Sequence, residues 1–322
     1  MKAIQITETG GPEVLKYLDV ADPHPGQGEV LVRLDAIGVN YMDVYTRTGL
    51  YPNSSLPIIP GGEGSGRVTE IGANVTEVEV GDLVTYTGVG GSYAEQVVAP
   101  SWRLVRIPDG LDAEIAAAVM LQGMTAHYLC RSTYPLGPDD TCLIHASAGG
   151  VGLLLTQMAK SLGATVIGTV STKEKQKLSV DAGADYVINY KDNDFEKEVL
   201  DISSGKGVQV VYDAVGVDTF EKSIRCLDTR GYMVLYGQSS GLVPPISPML
   251  LNSKSLFLTR PTLASYTASR EEILNRSGDV LESVKTGQLK VRIHRRFQLE
   301  NADEAHTQLE GRLTTGKLLL IP

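Results

Sequence analysis

The chain has 322 residues, room for about two domains and a sizeable core, and its 42% hydrophobic and 21% charged residues are ordinary for a soluble globular protein. Lys and Arg total 29 against 38 Asp and Glu, and the net charge of −9 argues against a nucleic-acid scaffold, though not against a local basic patch. The three cysteines, Cys130, Cys142 and Cys226, form no pattern and read as reduced thiols; with no apolar leader at residues 1–5 and no apolar run long enough for a bilayer, the expected compartment is the cytoplasm.

Residues 1–123 read mainly as β. Short runs rich in Val, Ile, Thr and Tyr fall at 2–7, 30–36, 66–71, 83–87 and 94–98, punctuated by Pro23-His24-Pro25-Gly26 and Pro60-Gly61-Gly62. That rhythm predicts a compact barrel or sandwich. A helical stretch near 113–121 leads out of it.

Residues 124–261 change period. Strands are predicted at 141–145, 165–170, 186–189, 208–213, 232–236 and 255–259, with helical patterns between the first five. Gly163 and Gly183 stand just past two of those helices, where a left-handed cap is wanted. Alternating short apolar strands and helices specify a doubly wound parallel sheet covered on both faces, hence an α/β fold. The first of these strands runs into His145-Ala146-Ser147-Ala148-Gly149-Gly150-Val151-Gly152, and an apolar helical pattern follows to Leu162. A strand, a glycine turn and a helix N-terminus make a pyrophosphate site: little side chain obstructs the backbone, and the first amides of the helix point at the anion.

An NAD site usually carries Asp or Glu at the end of the second strand, for the ribose 2′-hydroxyl. Here that strand ends Gly168-Thr169-Val170-Ser171-Thr172-Lys173-Glu174-Lys175, with no acid at its end. A 2′-phosphate wants a donor and positive charge, so Ser171 and Lys175 favour NADPH. Lys173, the first lysine of the run, has the plainer reading of solvating a helix start, and Glu174 departs from a purely basic pocket.

Residues 262–322 close the chain. Ser269-Arg270-Glu271-Glu272 fits a capping box for a helix to about Val284, and a strand is expected at 290–297. Asn301-Ala302-Asp303-Glu304 offers a second box for a helix to about Leu309, and residues 318–321 form a last apolar strand. This segment is expected to pack back on the first.

Several motifs in order carry a resemblance to a known family. They are Gly10-Gly11-Pro12-Glu13-Val14-Leu15, Gly38-Val39-Asn40-Tyr41-Met42-Asp43-Val44-Tyr45, Arg47-Thr48-Gly49-Leu50-Tyr51-Pro52, the turn from Ala146 to Gly152, Thr259-Arg260-Pro261, and the stretch from Gly311-Arg312 to Pro322. Across essentially its whole length the chain resembles zeta-crystallin-like NADPH:quinone oxidoreductases, zinc-free members of the medium-chain dehydrogenase/reductase superfamily. The resemblance implies a GroES-like catalytic domain built from residues 1–123 and 262–322, a Rossmann domain at 124–261, and a cleft between them.

It also implies roles. Asn40 and Tyr45 would lie beside the nicotinamide and its ribose, with Thr125 approaching the same ring. Ala148, Gly149, Gly150 and Val151 would hold the pyrophosphate; Ser171, Lys175, Tyr190 and Arg312 would surround the 2′-phosphate. Gly216, Gly237, Ser239, Phe257 and Thr259 would line the rest of the cofactor wall. Gly216 and Gly237 have a plainer reading as turn residues, and Phe257 as core.

Zinc is not expected. Zinc-dependent enzymes that the chain resembles place a thiolate where Asn40 stands and an imidazole in the segment Gly61-Gly62-Glu63, and carry a four-cysteine lobe that this chain lacks. The histidines His24, His127, His145, His294 and His306 have no paired spacing. His145 reads as a hydrogen-bonding residue of the turn, and Glu63 as a structural carboxylate.

Without a metal, hydride transfer suits a conjugated acceptor, whose developing charge delocalises so that a hydrogen-bond donor at its oxygen suffices. Asn40, Tyr45 and Tyr51 are the candidate catalytic donors. The expected activity is reduction of a quinone by NADPH. The alternatives are reduction of an alkenal or enone double bond in the same cleft or, in another class, a crystallin-like NADPH-binding or RNA-binding protein. RNA binding is disfavoured by the charge and by the lack of an aromatic-plus-basic cluster. The apolar edge strand Ser255-Leu256-Phe257-Leu258-Thr259 predicts a homodimer.

Overall fold

A computed structural model describes residues 1–51 and 56–322; Pro52, the last residue of one resemblance segment, lies outside them. The chain divides into two compact units, Met1–Met124 with Thr267–Pro322, and Thr125–Tyr266.

The first unit contains β1 (Lys2–Gln5), β2 (Lys16–Asp19), β3 (Glu29–Val39), α1 (Tyr41–Thr48), β4 (Glu63–Ile71), β5 (Leu83–Thr87), β6 (Gln96–Pro100) and β7 (Val105–Arg106). Helix α2 (Ala113–Tyr128) begins in this unit. The second unit continues with β8 (Thr141–Ile144), α3 (Gly150–Ser161), β9 (Thr165–Val170), α4 (Lys173–Asp181), β10 (Tyr186–Asn189), α5 (Phe195–Ile202), β11 (Val208–Asp213), α6 (Phe220–Arg225), β12 (Leu227–Leu235) and β13 (Phe257–Thr259). The chain then returns to the first unit with α7 (Arg270–Lys285), β14 (Ile293–Gln298), α8 (Ala302–Glu310) and β15 (Lys317–Ile321).

In the first unit seven strands run β14-β15-β3-β4-β5-β7, with β6 also on β3. The long strand β3 organises them. It pairs β4 along one edge; along the other it pairs β6 over its first half and β15 over Ile37, Gly38 and Val39. The end of the chain is thereby laid beside Asn40. Val30, Val32, Leu34 and Ile37 of β3 meet Val68, Val84, Phe297, Leu318 and Leu320 in one apolar core. The strands at 16–19 and 105–106 had no strong signal: one is exposed throughout and the other is two residues long.

The second unit holds a six-stranded sheet in the order β10-β9-β8-β11-β12-β13, parallel at every pairing. Leu143, Ile167, Ile188, Val208, Val211, Met233 and Leu235 fill one of its apolar cores. Gly163 and Gly183 take left-handed φ of 89° and 105° after their helices. This is the α/β architecture expected of alternating apolar strands and helices.

The two capping motifs fare differently. Ser269 caps α7 with its hydroxyl on the Glu272 amide, and Glu272 reaches back to the Ser269 amide. Asn301 provides no side-chain cap to α8. It ends a 3-10 turn over Leu299–Asn301 and so lacks the extended backbone that capping geometry requires.

Candidate active site

In the second unit the glycine turn is dictated by close backbone approach. A Cβ on Gly152 would fall 2.3 Å from the Ala146 carbonyl oxygen and 2.8 Å from Ser147 Cα, so only glycine lets α3 start against the turn. Ala146 takes φ of 52° to complete it. Gly149 is the N-cap of α3 and brings no side-chain acceptor, so the first amides of the helix are left without a side-chain cap. Ala148, Gly149, Gly150 and Val151 line this N-terminus. It fits a pyrophosphate: bare backbone, aligned amides and the positive end of a twelve-residue helix.

Beneath the turn a buried network holds its shape. His145 bonds Thr169 Oγ1 at 2.9 Å through one ring nitrogen and Ser223 Oγ at 2.8 Å through the other. Burial lowers its pKa, which keeps the ring neutral. Ser147 Oγ meets Ser179 Oγ at 2.7 Å. These polar groups are structural, and both histidine nitrogens are engaged.

Ser171 and Tyr190 follow the ends of the adjacent strands β9 and β10, and the Tyr190 amide donates to the Val170 carbonyl at 3.1 Å. Thr172 caps α4 by accepting from the Lys175 amide, which puts Lys175 on the first turn. The structure thus brings Ser171, Lys175 and Tyr190 to one corner of the sheet with no carboxylate at the end of β9. Pairing of β9 with β10 supplies Tyr190, which local spacing does not reveal.

The wall beyond β11 is built from backbone. A Cβ on Gly216 would lie 2.6 Å from the Gly241 oxygen, and one on Gly237 would lie 2.6 Å from the Ala214 oxygen. Contact between two loops therefore already requires both glycines. Asp213 shapes the first loop by accepting from the Val215 and Gly216 amides and from Thr219 Oγ1. The Ser239 amide bonds the Ala214 carbonyl, and Arg260 ties the second loop through the Leu235 carbonyl and Gln238 Oε1. Thr259 pairs with Val234 near the end of β12. Phe257 stands apart: it stacks on Tyr232, ring centroids 4.5 Å apart, level with Val210 and Cys142 near the start of β8. Thr125 is buried on α2.

In the first unit α1 carries the catalytic candidates. Asn40 is its N-cap, with the Asp43 carboxylate accepting the Asn40 amide at 2.8 Å, and Gly49 ends it at φ of 78°. The spacing of four puts Tyr41 and Tyr45 on one face, ring centroids 5.9 Å apart. The chain folds back after Gly49 so that the Tyr51 amide reaches the Tyr45 carbonyl and the two rings lie 5.2 Å apart.

The Asn40 side chain sits in a buried hydrogen-bond network. Its Nδ2 donates to Glu63 Oε2 at 2.8 Å and to the Gly38 carbonyl at 3.3 Å, and its Oδ1 accepts from Lys317 Nζ at 2.8 Å. Lys317 also pairs with Glu63, and both side chains are fully buried. The other Glu63 oxygen accepts the Leu121 amide. Gly38 makes the room: a Cβ there would lie 2.2 Å from Glu63 Oε2 and 2.8 Å from Lys317 Cε. Both amide hydrogens of Asn40 are therefore used internally. Where a metal would need convergent Cys, His or carboxylate ligands, this structure has an amide, one carboxylate and an ammonium, which does not fit a cation. Among the described residues no group of three or more His, Cys, Asp or Glu side chains converges as metal ligands.

A second buried chain runs from α8 to α1. Arginine has no acceptor, so Arg47 donates to His306 Nδ1 at 3.3 Å. Nε2 then carries the ring proton and donates to Tyr93 Oη at 3.0 Å, and the Tyr93 hydroxyl donates to Asp43 Oδ2 at 3.0 Å. Arg47 also pairs with Glu310. Burial, then Arg47, pushes His306 down to about 3; burial raises Asp43 to about 7 against its hydrogen bonds. Neither residue was singled out from the sequence beyond its presence, because the partners lie about 260 positions apart.

Comparison with known proteins follows this division. Residues 26–109 match the family described as Alcohol dehydrogenase GroES-like domain, and residues 150–279 the family described as Zinc-binding dehydrogenase. The quinone oxidoreductase of Pseudomonas aeruginosa is 46% identical, over 100% of this chain and 99% of its own. A 2-haloacrylate reductase from Burkholderia sp is 41% identical, over 99% and 98%. The crystal structure of Escherichia coli quinone oxidoreductase complexed with NADPH superposes with a TM-score of 0.98 at 41% identity, covering 100% of both chains.

Proposed function

Since this chain belongs to the quinone oxidoreductase family of the medium-chain dehydrogenase/reductase superfamily, we propose that it is a zinc-independent NADPH:quinone oxidoreductase. The observation that carries the cofactor assignment is the corner formed by Ser171, Lys175 and Tyr190, polar and cationic with no acid at the end of β9. A carboxylate there would repel a 2′-phosphate; a hydroxyl and an ammonium attract it. Arg312 is assigned to the same phosphate, and the first-turn amides of α3 to the pyrophosphate. Gly216, Gly237, Ser239 and Thr259 are assigned to the remaining wall through their backbone.

When bound, NADPH supplies a hydride to the acceptor, and the hydroquinone is completed by a proton. The chain orients the reactants. Tyr45 and Tyr51 are assigned to the nicotinamide side, their rings for packing and their hydroxyls as donors to the acceptor oxygen. Asn40 is assigned to the same side as a cap that fixes α1, since its amide is already engaged. Thr125 is assigned to the nicotinamide.

The Burkholderia relative named for haloacrylate reduction favours one further reading, reduction of an activated double bond by the same groups. Oxidation of NADPH and NADH followed side by side, with an ortho-quinone and with a 2-alkenal, in the presence of a chelator, separates the readings. NADPH turnover with the quinone is expected. Turnover mainly with the alkenal would move the assignment to double-bond reduction, and a preference for NADH would overturn the phosphate corner.

We assign a homodimer to β13, the last strand in its sheet, whose Phe257 and Leu258 are exposed. Light scattering at micromolar concentration tests it, and a monomer mass would sink it. No helix among the described residues is long and apolar enough to cross a membrane. The three free, buried cysteines support a reducing cytoplasmic setting.

A further inference from the structure

Arg312 takes a left-handed φ of 54°, whereas its neighbour Gly311 keeps an ordinary helical backbone with φ of −66°. The usual arrangement places glycine in the left-handed residue after a helix, because a Cβ makes that conformation unfavourable. Something must hold Arg312 there. Its amide donates to the Leu309 carbonyl at 3.1 Å, and the same carbonyl accepts the Tyr41 hydroxyl at 2.9 Å. Tyr41 therefore fixes the oxygen on which the Arg312 turn closes. Below it, Arg47 anchors the end of α8 through Glu310 and His306.

We propose that Tyr41, by clamping the Leu309 carbonyl, is a positioning residue that presents Arg312 to a 2′-phosphate and so sets the preference for NADPH over NADH. This rests on the assignment of Arg312 to that phosphate. Tyr41 touches no reacting atom. It acts through the backbone of Arg312, so its loss is felt by a phosphorylated dinucleotide and not by its unphosphorylated counterpart.

The test is Tyr41→Phe, which removes one hydroxyl and keeps the ring beside Tyr45. KM for NADPH is expected to rise roughly 3- to 10-fold, the worth of one neutral hydrogen bond. KM for NADH and kcat with either cofactor stay within about twofold. In an Arg312→Ala background the same substitution changes nothing further, as a double-mutant cycle requires of two residues acting in series. Both cofactors are measured on one preparation, so a partly unfolded fraction cancels in their ratio.

An unchanged NADPH-to-NADH ratio in Tyr41→Phe, with the ratio collapsing in Arg312→Ala, overturns the clamp and leaves the Arg312 assignment standing. Equal losses with both cofactors overturn it as a general structural effect. An unchanged ratio in Arg312→Ala removes the phosphate assignment and the clamp together. Should Tyr41→Phe give no folded protein, Tyr41→Leu removes the same hydroxyl and keeps apolar bulk, and an unchanged ratio there overturns the proposal equally.

Discussion

Lys317 Nζ lies 2.8 Å from Asn40 Oδ1, so the last strand of the chain holds the residue at the N-cap of α1. The ammonium, the Glu63 carboxylate and the Asn40 amide close a ring of hydrogen bonds with every member buried. Such a ring tolerates loss of both charges better than loss of one.

Lys317→Met should therefore cost about 3–5 kcal/mol by leaving Glu63 charged and unpaired. Lys317→Met with Glu63→Gln should recover most of that loss, because the neutral amide still bonds Asn40. Urea melts of the two variants decide it. Equal destabilisation of both would mean that packing, not charge, dominates the site.

Gly152→Ala forces a Cβ to 2.3 Å from the Ala146 carbonyl oxygen. The turn must open, at a cost of about 1–3 kcal/mol in stability, and the first amides of α3 lose their aim. NADPH affinity, read by fluorescence titration, should fall by about tenfold or more. Undiminished affinity would remove the helix N-terminus from the phosphate site.

Stability should respond to pH through two opposed groups in one chain of hydrogen bonds. Asp43 is raised from an ordinary value of 3.8 to about 7, so the folded state holds its proton longer and stability falls as pH climbs from about 4 to 7. His306 is lowered from 6.5 to about 3, so stability rises over roughly the same interval up to about 6.5. In the native protein the two slopes largely cancel between about pH 4 and 6.5. Asp43→Asn should leave stability rising with pH there, and His306→Gln should leave it falling, each by about 1.4 kcal/mol per pH unit at most. Thermal melts across that range would refute the pairing if both variants sloped alike.

Ser171→Asp places a carboxylate at the end of β9, where NAD enzymes carry theirs. KM for NADPH should rise at least about tenfold while KM for NADH holds or improves. Lys175→Ala, at a half-exposed position, should raise KM for NADPH only about fivefold because water screens its charge. Steady-state kinetics with both cofactors check this, and unaltered selectivity in both variants would contradict the assignment.

Tyr45→Phe should slow turnover by less than about tenfold, since orientation supplies most of the acceleration and the ring survives. Complete loss of turnover with NADPH binding intact would instead make its hydroxyl indispensable.

Local chemistry made much of the molecule legible. The period of apolar strands and helices from Thr141 onward determined a parallel sheet, and the strand-turn-helix around Gly149 to Gly152 determined a helix N-terminus closed against a glycine turn and without a side-chain cap. The missing acid after Val170 is likewise a one-dimensional fact. Gly216 and Gly237 were visible as glycines, but the reason for them is an approach between loops more than twenty residues apart. Asn40 was visible as a polar residue beside a strand. That its amide is spent on Glu63 and Lys317 was not, because β15 meets β3 only after 277 residues of chain have folded between them. The relay from Arg47 through His306 and Tyr93 to Asp43 was hidden for the same reason. Periodicity and turn chemistry act over a few residues and can be read along the chain. Buried charge and directional hydrogen bonds are settled only when distant segments share one low-dielectric interior, so the tertiary structure alone decided them.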